Sequence, residues 1–318
     1  MVDSAGRLQL GLLMRTGELR SPGGDRRIGW AELREIAQLA EAVGVDSLFL
    51  ADHFLFRNSG GVVMPEGESR GVWEAMTILS ALAEATSRVT LGPLVACTTF
   101  RNPALLAKMA DTLDEVSGGR LILGLGAGWH KPEYDAFGYP FDHRAGRFEE
   151  AIAIIIPLLR EGYVDFQGKY YQARDCELRP RGPHPNGPPI WIGARQPRMM
   201  RLAARYADVY NTVWYGSPAP LARQLAAFEA TCREVGRDPS TIGRTSGTFI
   251  ALPGPDVHPS GEPHQTISGS PDEIAAQLEA LHAAGAQHVT CALDPWNVRA
   301  IERFGEVIQA LRKLEKDR

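Results

Sequence analysis

Residues 121–138 read LILGLGAGWHKPEYDAFG, an apolar run followed by glycines on alternate positions, Gly124, Gly126 and Gly128. The spacing begins like the dinucleotide fingerprint G-x-G-x-x-G, yet the third glycine would fall on position 129, which is Trp129. A pyrophosphate also needs a helix N-terminus directly after the glycines. Pro132, Gly138 and Pro140 instead point to a long turn there, with no helix starting at once. Alternate glycines then put bare backbone on one face of a strand, for close core packing or for the approach of a flat ligand.

On either side of this strand, short apolar runs alternate with amphipathic helices. Upstream, LQLGLLM, SLFLADH and VTLGPLVACT read as strands, separated by the helical patterns WAELREIAQLAEAVG and WEAMTILSALAEATS. The next helix is clearer still. Asn102 can cap it, Pro103 suits its first turn, Leu105, Leu106, Met109, Leu113 and Val116 share a stripe, and Gly118-Gly119 stops it. Downstream, HRAGRFEEAIAIIIPLLREG gives a fourth helix, and residues 163–189, rich in Pro, Gly and Arg, make an excursion before the strand PIWIGA. PRMMRLAARYA, ADVYNTVW, PAPLARQLAAFEATCREVG, TSGTFIAL, PDEIAAQLEALHAAG, HVTCAL and a terminal helix over 297–313 complete eight βα units. With no composition break, this predicts one α/β domain over residues 1–318, a (β/α)8 TIM barrel with an excursion between helix 4 and strand 5. A doubly wound sheet is the runner-up, and the first strand lacks the glycine-rich turn it would need.

Composition narrows the function. The chain has 318 residues, 44% of them hydrophobic, and a formal net charge of -4, enough to bury a large core and too acidic to attract nucleic acid or an anionic membrane over distance. A small organic molecule is the expected partner. No signal-peptide pattern opens the chain and no run reaches the ~20 apolar residues of a membrane span. Cys97, Cys176, Cys232 and Cys291 are scattered without C-x-x-C pairs, which fits a reduced cytoplasm.

In a barrel the strand ends converge, and function gathers there. The rim so formed holds His53, residues 97–99, 128–130, 193–195, 211–214 and 294–296. It lacks H-x-H and H-E-x-x-H, so no metal site is expected. His53 could bond a ligand's ring atom or move a proton, or be satisfied by neighbouring backbone; Asp52 could orient it or cap the following loop. In IGARQPRMMR a strand ends at Gly193 and a helix begins near Pro197, with Arg195 and Arg198 flanking it, a plausible anion site. Arg201 and Arg205 read as a solvated face. His130 and Glu133 read as lid residues, and the remaining histidines, His143, His184, His258, His264, His282 and His288, form no constellation. The loops 56–70 and 254–268 read as lids or a dimer contact.

Several segments resemble the bacterial luciferase-like flavin monooxygenase and deazaflavin-dependent oxidoreductase superfamily: SLFLADHF at 47–54, TTFRNPALLAKMADTLDEVSGGRLILGLGAGW at 98–129, YPFDHRAGRFEEAI at 139–152, VDFQGKYYQARD at 164–175 and PIWIGARQPRMMRLAARYADVYN at 189–211. The resemblance implies a barrel that binds FMN, or alternatively the 8-hydroxy-5-deazaflavin coenzyme F-420, with the ring over the strand ends and the phosphate near strands five and six. It implies a bulge behind the ring at residues 94–97, often with a non-prolyl cis peptide, a catalytic or substrate-binding role for His53, and Gly128 at the ring border. His53 is therefore the catalytic candidate. Leu94, Val95, Cys97, Gly128, Trp129, Gly193, Ala194, Arg195 and Thr212 are the cofactor-binding candidates.

Two departures bear on the substrate. Sugar-phosphate dehydrogenases similar to this chain have an acidic residue at Trp129 and a phosphate-binding lysine at Gly216, so a sugar phosphate is not expected. Trp73, Trp129, Trp214 and Trp296 would line an apolar pocket if all face it. The implied function is a two-component monooxygenase, fed reduced FMN by a separate flavin reductase and acting with oxygen on a small organic substrate. Hydride transfer by the deazaflavin is the alternative, a non-catalytic flavin-binding barrel a third. The family's usual assembly is a homodimer.

Overall fold

The computed structural model describes residues 6–19, 25–59, 62, 66–252 and 261–317. Eight parallel strands form the barrel: β1 (Gln9–Met14), β2 (Ser47–Leu50), β3 (Thr90–Pro93, resuming as Ala96–Cys97), β4 (Leu123–Gly126), β5 (Ile190–Gly193), β6 (Val209–Asn211), β7 (Gly243–Ala251) and β8 (His288–Asp294). Neighbours in space follow sequence, and β8 pairs with β1. The barrel closes between β3 and β4, where Leu91 N–H donates to Arg120 (3.0 Å), Ile122 N–H donates to Leu91 (2.8 Å), and Ala96 and Cys97 register with Leu125 and Gly126. Closure excludes the doubly wound sheet.

The helices are α1 (Trp30–Val43), α2 (Ala75–Ala85), α3 (Pro103–Ser117), α4 (Lys131–Phe137), α5 (Arg144–Glu161), α6 (Pro197–Tyr206), α7 (Pro218–Glu234), α8 (Pro271–Ala283) and α9 (Val298–Lys316). The Asn102 side chain does cap α3, accepting from Ala104 and Leu105 N–H. The excursion is a hairpin, Tyr163–Gln167 against Gln172–Glu177, followed by an irregular return to β5. No described helix is long and apolar enough to cross a membrane.

Period-2 alternation sorts the strand residues into two cores. Leu10, Leu12, Leu48, Leu50, Leu123, Leu125, Ile190 and Ile192 pack in the large core shared with the helices. Phe49, Ile122, Trp191 and Val209 form a second, with His288 edge-on to Phe49 (5.6 Å) and Trp191 (5.1 Å). His288 is buried, its Nε2 lies 3.1 Å from Ser47 Oγ, and burial pushes its pKa down to about 3.

The glycine strand is β4, and its glycines serve β3. A Cβ at Gly124 would collide with the Pro93 carbonyl oxygen, and one at Gly126 would lie 2.5 Å from Val95 Cγ2. Gly128, at φ 72°, is backed by the Tyr134 hydroxyl where a Cβ would sit. Core packing therefore accounts for all three. The expected long turn after them contains α4, which starts at Lys131: Pro132 suits a first turn, and Gly138 at φ 76° ends the helix.

Candidate active site

A cavity of about 1180 Å³ opens at the C-terminal ends of the strands. Typical ligand pockets hold roughly 300–1,000 Å³, so this one has room for a cofactor beside a second ligand. His53, Leu94, Val95, Cys97, Gly128 and Trp129 line it on one side; Gly193, Ala194, Arg195 and Thr212 line it on the other. The peptides Leu94-Val95 and Val213-Trp214 are both cis. Val95 reaches across β4 to β5, with its Cγ2 3.3 Å from where a Gly193 Cβ would be. The missing side chains at Gly126 and Gly193 thus make room for Val95, which lies over both and lines the cavity.

The first wall is hydrogen-bonded throughout its acidic groups. His53 Nδ1 lies 2.7 Å from Glu133 Oε1, while Glu133 Oε2 accepts Phe54 N–H at 2.9 Å. Glu133 is 1% exposed. An ionised carboxylate accepts only, so it holds the proton of a neutral imidazole on Nδ1 and leaves Nε2 for a ligand. Trp129 stands edge-on to the His53 ring at 5.4 Å, and Phe56 packs on it at 4.5 Å.

Glu133 and His130, expected in a lid, are both buried. His130 Nε2 accepts Arg57 N–H at 3.1 Å, and burial lowers its pKa. Asp52 does not orient His53. It accepts Cys97 N–H (2.8 Å) and pairs with Arg101 at 2.7 and 2.9 Å, and Arg101 also bonds Glu74. That buried cluster fixes the resumed part of β3 against the end of β2. The Cys97 thiol lies 2.9 Å from the Tyr134 hydroxyl, and burial pushes its pKa up to about 11, so it stays protonated near neutrality.

The second wall is cationic and open. Helices α5 and α6 both start on the cavity, at His143 and Gln196, and neither start carries a side-chain cap. Arg144 donates to the Gly128 carbonyl (2.8 Å) and stacks on Phe141 at 4.1 Å. Arg195 sits 5.9 Å from the Tyr215 ring centroid, and Arg198 pairs with Glu149 at 2.7 Å. Tyr210 Oη donates to the Ala194 carbonyl at 2.8 Å and fixes the turn between β5 and α6. Arg201 and Arg205 are exposed.

Trp129 and Trp214 line the cavity, whereas Trp73 and Trp296 do not. Trp73 Nε1–H donates to the Ile28 carbonyl (2.7 Å), and Trp296 is buried in the helix-side core. Gly216 is packed against residues 264–266. Of the two lid candidates, residues 60, 61, 63–65 and 254–260 lie outside the described residues, and so does His258; Leu55–Arg57 and Ser69–Gly71 form a hairpin over His53. Among the described residues no cluster of three metal-binding side chains occurs.

The luciferase-like monooxygenase family model matches residues 8–255. The chain belongs to this family. It is 35% identical over 290 residues to a pyrimidine monooxygenase RutA of Bradyrhizobium sp., covering 75% of this chain and 79% of that one. It is 36% identical over 187 residues to an F420-dependent glucose-6-phosphate dehydrogenase of Amycolatopsis mediterranei, covering 57% of this chain and 53%, about half, of that relative. An F420-dependent secondary alcohol dehydrogenase has the same fold, with a TM-score of 0.77 at 21% identity over 96% of this chain and 99% of that one. This luciferase-like chain thus has both monooxygenases and F420-dependent dehydrogenases among its relatives.

Proposed function

We propose that this luciferase-like protein is a flavin-dependent oxidoreductase, a two-component monooxygenase that uses reduced FMN and oxygen on a small organic substrate. One observation carries the reading: a single cavity joins a partly exposed imidazole, held by a buried carboxylate, to two uncapped, arginine-flanked helix starts. Free amides and guanidiniums suit a phosphate, and Val95, seated over Gly126 and Gly193 on the cavity wall, offers an apolar surface to a flat ring. Bound reduced FMN would supply the electrons that activate oxygen.

The chain's residues supply the rest. Arg195, with the amides of α6, holds the phosphate; Leu94, Val95 and Cys97 back the ring; Gly128, Trp129, Gly193, Ala194 and Thr212 border it. His53 Nε2 accepts or returns a proton at the substrate, while Glu133 fixes its tautomer and stabilises the imidazolium. Trp129, Phe56 and Trp214 keep the reacting region apolar and exclude water, which suits a planar substrate. Gly216 and Trp129, where sugar-phosphate dehydrogenases have other groups, speak against a sugar phosphate.

A separate reductase, a homodimeric assembly, a single-domain chain and a cytoplasmic site accompany this reading, the last supported by four free cysteines. The deazaflavin alternative, hydride transfer, is favoured by the similarity to the glucose-6-phosphate dehydrogenase. The test is stopped-flow mixing of the protein loaded with reduced FMN against oxygen. A reoxidation course distinct from that of free reduced FMN is expected; an identical course contradicts the monooxygenase reading.

A further inference from the structure

Two side chains from the start of α4 grip the segment that leaves β2. Glu133 Oε2 accepts Phe54 N–H at 2.9 Å and His130 Nε2 accepts Arg57 N–H at 3.1 Å, so the first strand of the Leu55–Arg57/Ser69–Gly71 hairpin is held at both ends. Between these two bonds in sequence lies Phe56, which lines the cavity and packs on His53 at 4.5 Å and on His130 at 5.6 Å. The place of Phe56 beside His53 thus depends on a second imidazole acting as an acceptor.

His130 is 1% exposed. With Nε2 accepting, the neutral ring carries its proton on Nδ1, which is buried and has no hydrogen-bond partner among the described residues. An imidazolium cannot keep this arrangement. Its second N–H would oppose the Arg57 N–H, donor against donor, and its charge would be buried with both donors unpaired. The charged and titratable groups around the ring are Glu133 on the same helix start, His53 at the end of β2, and on the hairpin Arg57, whose side chain is exposed, and Arg70, 5.2 Å from the Phe56 centroid. Lys131, next in the chain, is paired with Asp135. Burial lowers the His130 pKa against the opposing Glu133 charge, and His53 adds to the lowering.

We propose that His130 is a positioning residue for the chemistry at His53: as a neutral acceptor it holds the hairpin down and Phe56 against His53, and its protonation releases both. The link to chemistry rests on the reading of this cavity as a flavin site; the hold on the hairpin does not. The hold is complete above about pH 6.5, the ordinary value that the ring regains when the hairpin lifts, and weakens as pH falls below it.

Hydrogen exchange of residues 54–57, corrected for its intrinsic pH dependence, tests the hold without any cofactor in the wild type, His130→Leu and His130→Gln. Glutamine offers a carbonyl oxygen that accepts and does not titrate. Near neutral pH, His130→Leu lowers the protection of the Arg57 amide about tenfold, the scale of one hydrogen bond, and His130→Gln keeps most of it. On acidification to about pH 5 the wild type loses at least about threefold relative to His130→Gln. With reduced FMN bound, the reoxidation course of His130→Leu moves toward that of free reduced FMN, while His130→Gln keeps the wild-type course. Unchanged Arg57 protection in His130→Leu, or wild-type and His130→Gln protection that fall together with pH, overturns the hold. Lost protection with a wild-type reoxidation course overturns the positioning role. A wild type that reoxidises FMN as free FMN does overturns the flavin reading and leaves the exchange result standing.

Discussion

On the wall built from β2, β3, β4 and α4, the acidic groups are already matched inside the protein: Glu133 to His53 and Phe54 N–H, Asp52 to Cys97 N–H and Arg101. On the wall built from the starts of α5 and α6, neither helix start carries a side-chain cap, and Arg195 has no carboxylate partner among the described residues. The first arrangement is preorganised, with rotamers and tautomer set before any ligand arrives. The second is left unsatisfied for an anion to complete. Chemistry needs the former, because a misplaced proton acceptor loses rate; affinity is served by the latter, because new charge-assisted bonds form only on binding.

Substitutions on the two walls should therefore fail differently. The largest effect is expected for His53→Ala, which lowers kcat/KM by about 10²–10⁴-fold while FMN affinity, read by titration, barely moves. Glu133→Gln keeps the shape and removes the charge. It should cost up to about 10²-fold in kcat, with FMN affinity near the wild-type value. A merely structural role for Glu133 would weaken FMN binding along with kcat. On the other wall, Arg195→Ala should weaken FMN binding about tenfold, the loss of one partly exposed charge-assisted bond, with kcat at saturating FMN near the wild-type value.

A different observable, stability against pH, tests the barrel interior away from both walls. His288 has a folded pKa of about 3 against an ordinary 6.5, because burial disfavours its charged form. With the folded value below the unfolded one, its contribution is complete above about pH 6.5 and is lost as pH falls toward 3, at no more than about 1.4 kcal/mol per pH unit. Urea unfolding of His288→Leu across that window should show a shallower pH slope than the wild type.

The two walls also differed in how far the sequence revealed them. The barrel and the cationic wall lie in local patterns: eight alternations of period 2 and period 3.6, and a strand ending at Gly193 just before Pro197 and its arginines. His53 was visible because it ends a strand. Its partner was not, because Glu133 is 80 residues away and gains its role only when the barrel closes. A local signal was present, however. Pro132 and Gly138 bracket residues 131–137 as a first-turn proline and a stop glycine bracket a helix, and Lys131 with Asp135 makes an i,i+4 pair. Reading that helix would have put Glu133 in a fixed first turn under the rim instead of in a lid. Likewise the glycines of β4 gave no clue that their reason is the irregular β3, since the contact that forbids a side chain at Gly124 or Gly126 comes from residues 93–95.

In the proposed reading the cavity receives a flavin by its phosphate on the α5–α6 wall and presents its ring to His53. Titrating the wild type and Arg195→Ala with FMN and with riboflavin, which has the same ring and no phosphate, tests this most directly. The wild type should bind FMN at least about tenfold more tightly than riboflavin, and Arg195→Ala should remove most of that difference. Equal binding of the two ligands by the wild type, or a preference for FMN untouched by the substitution, would contradict it.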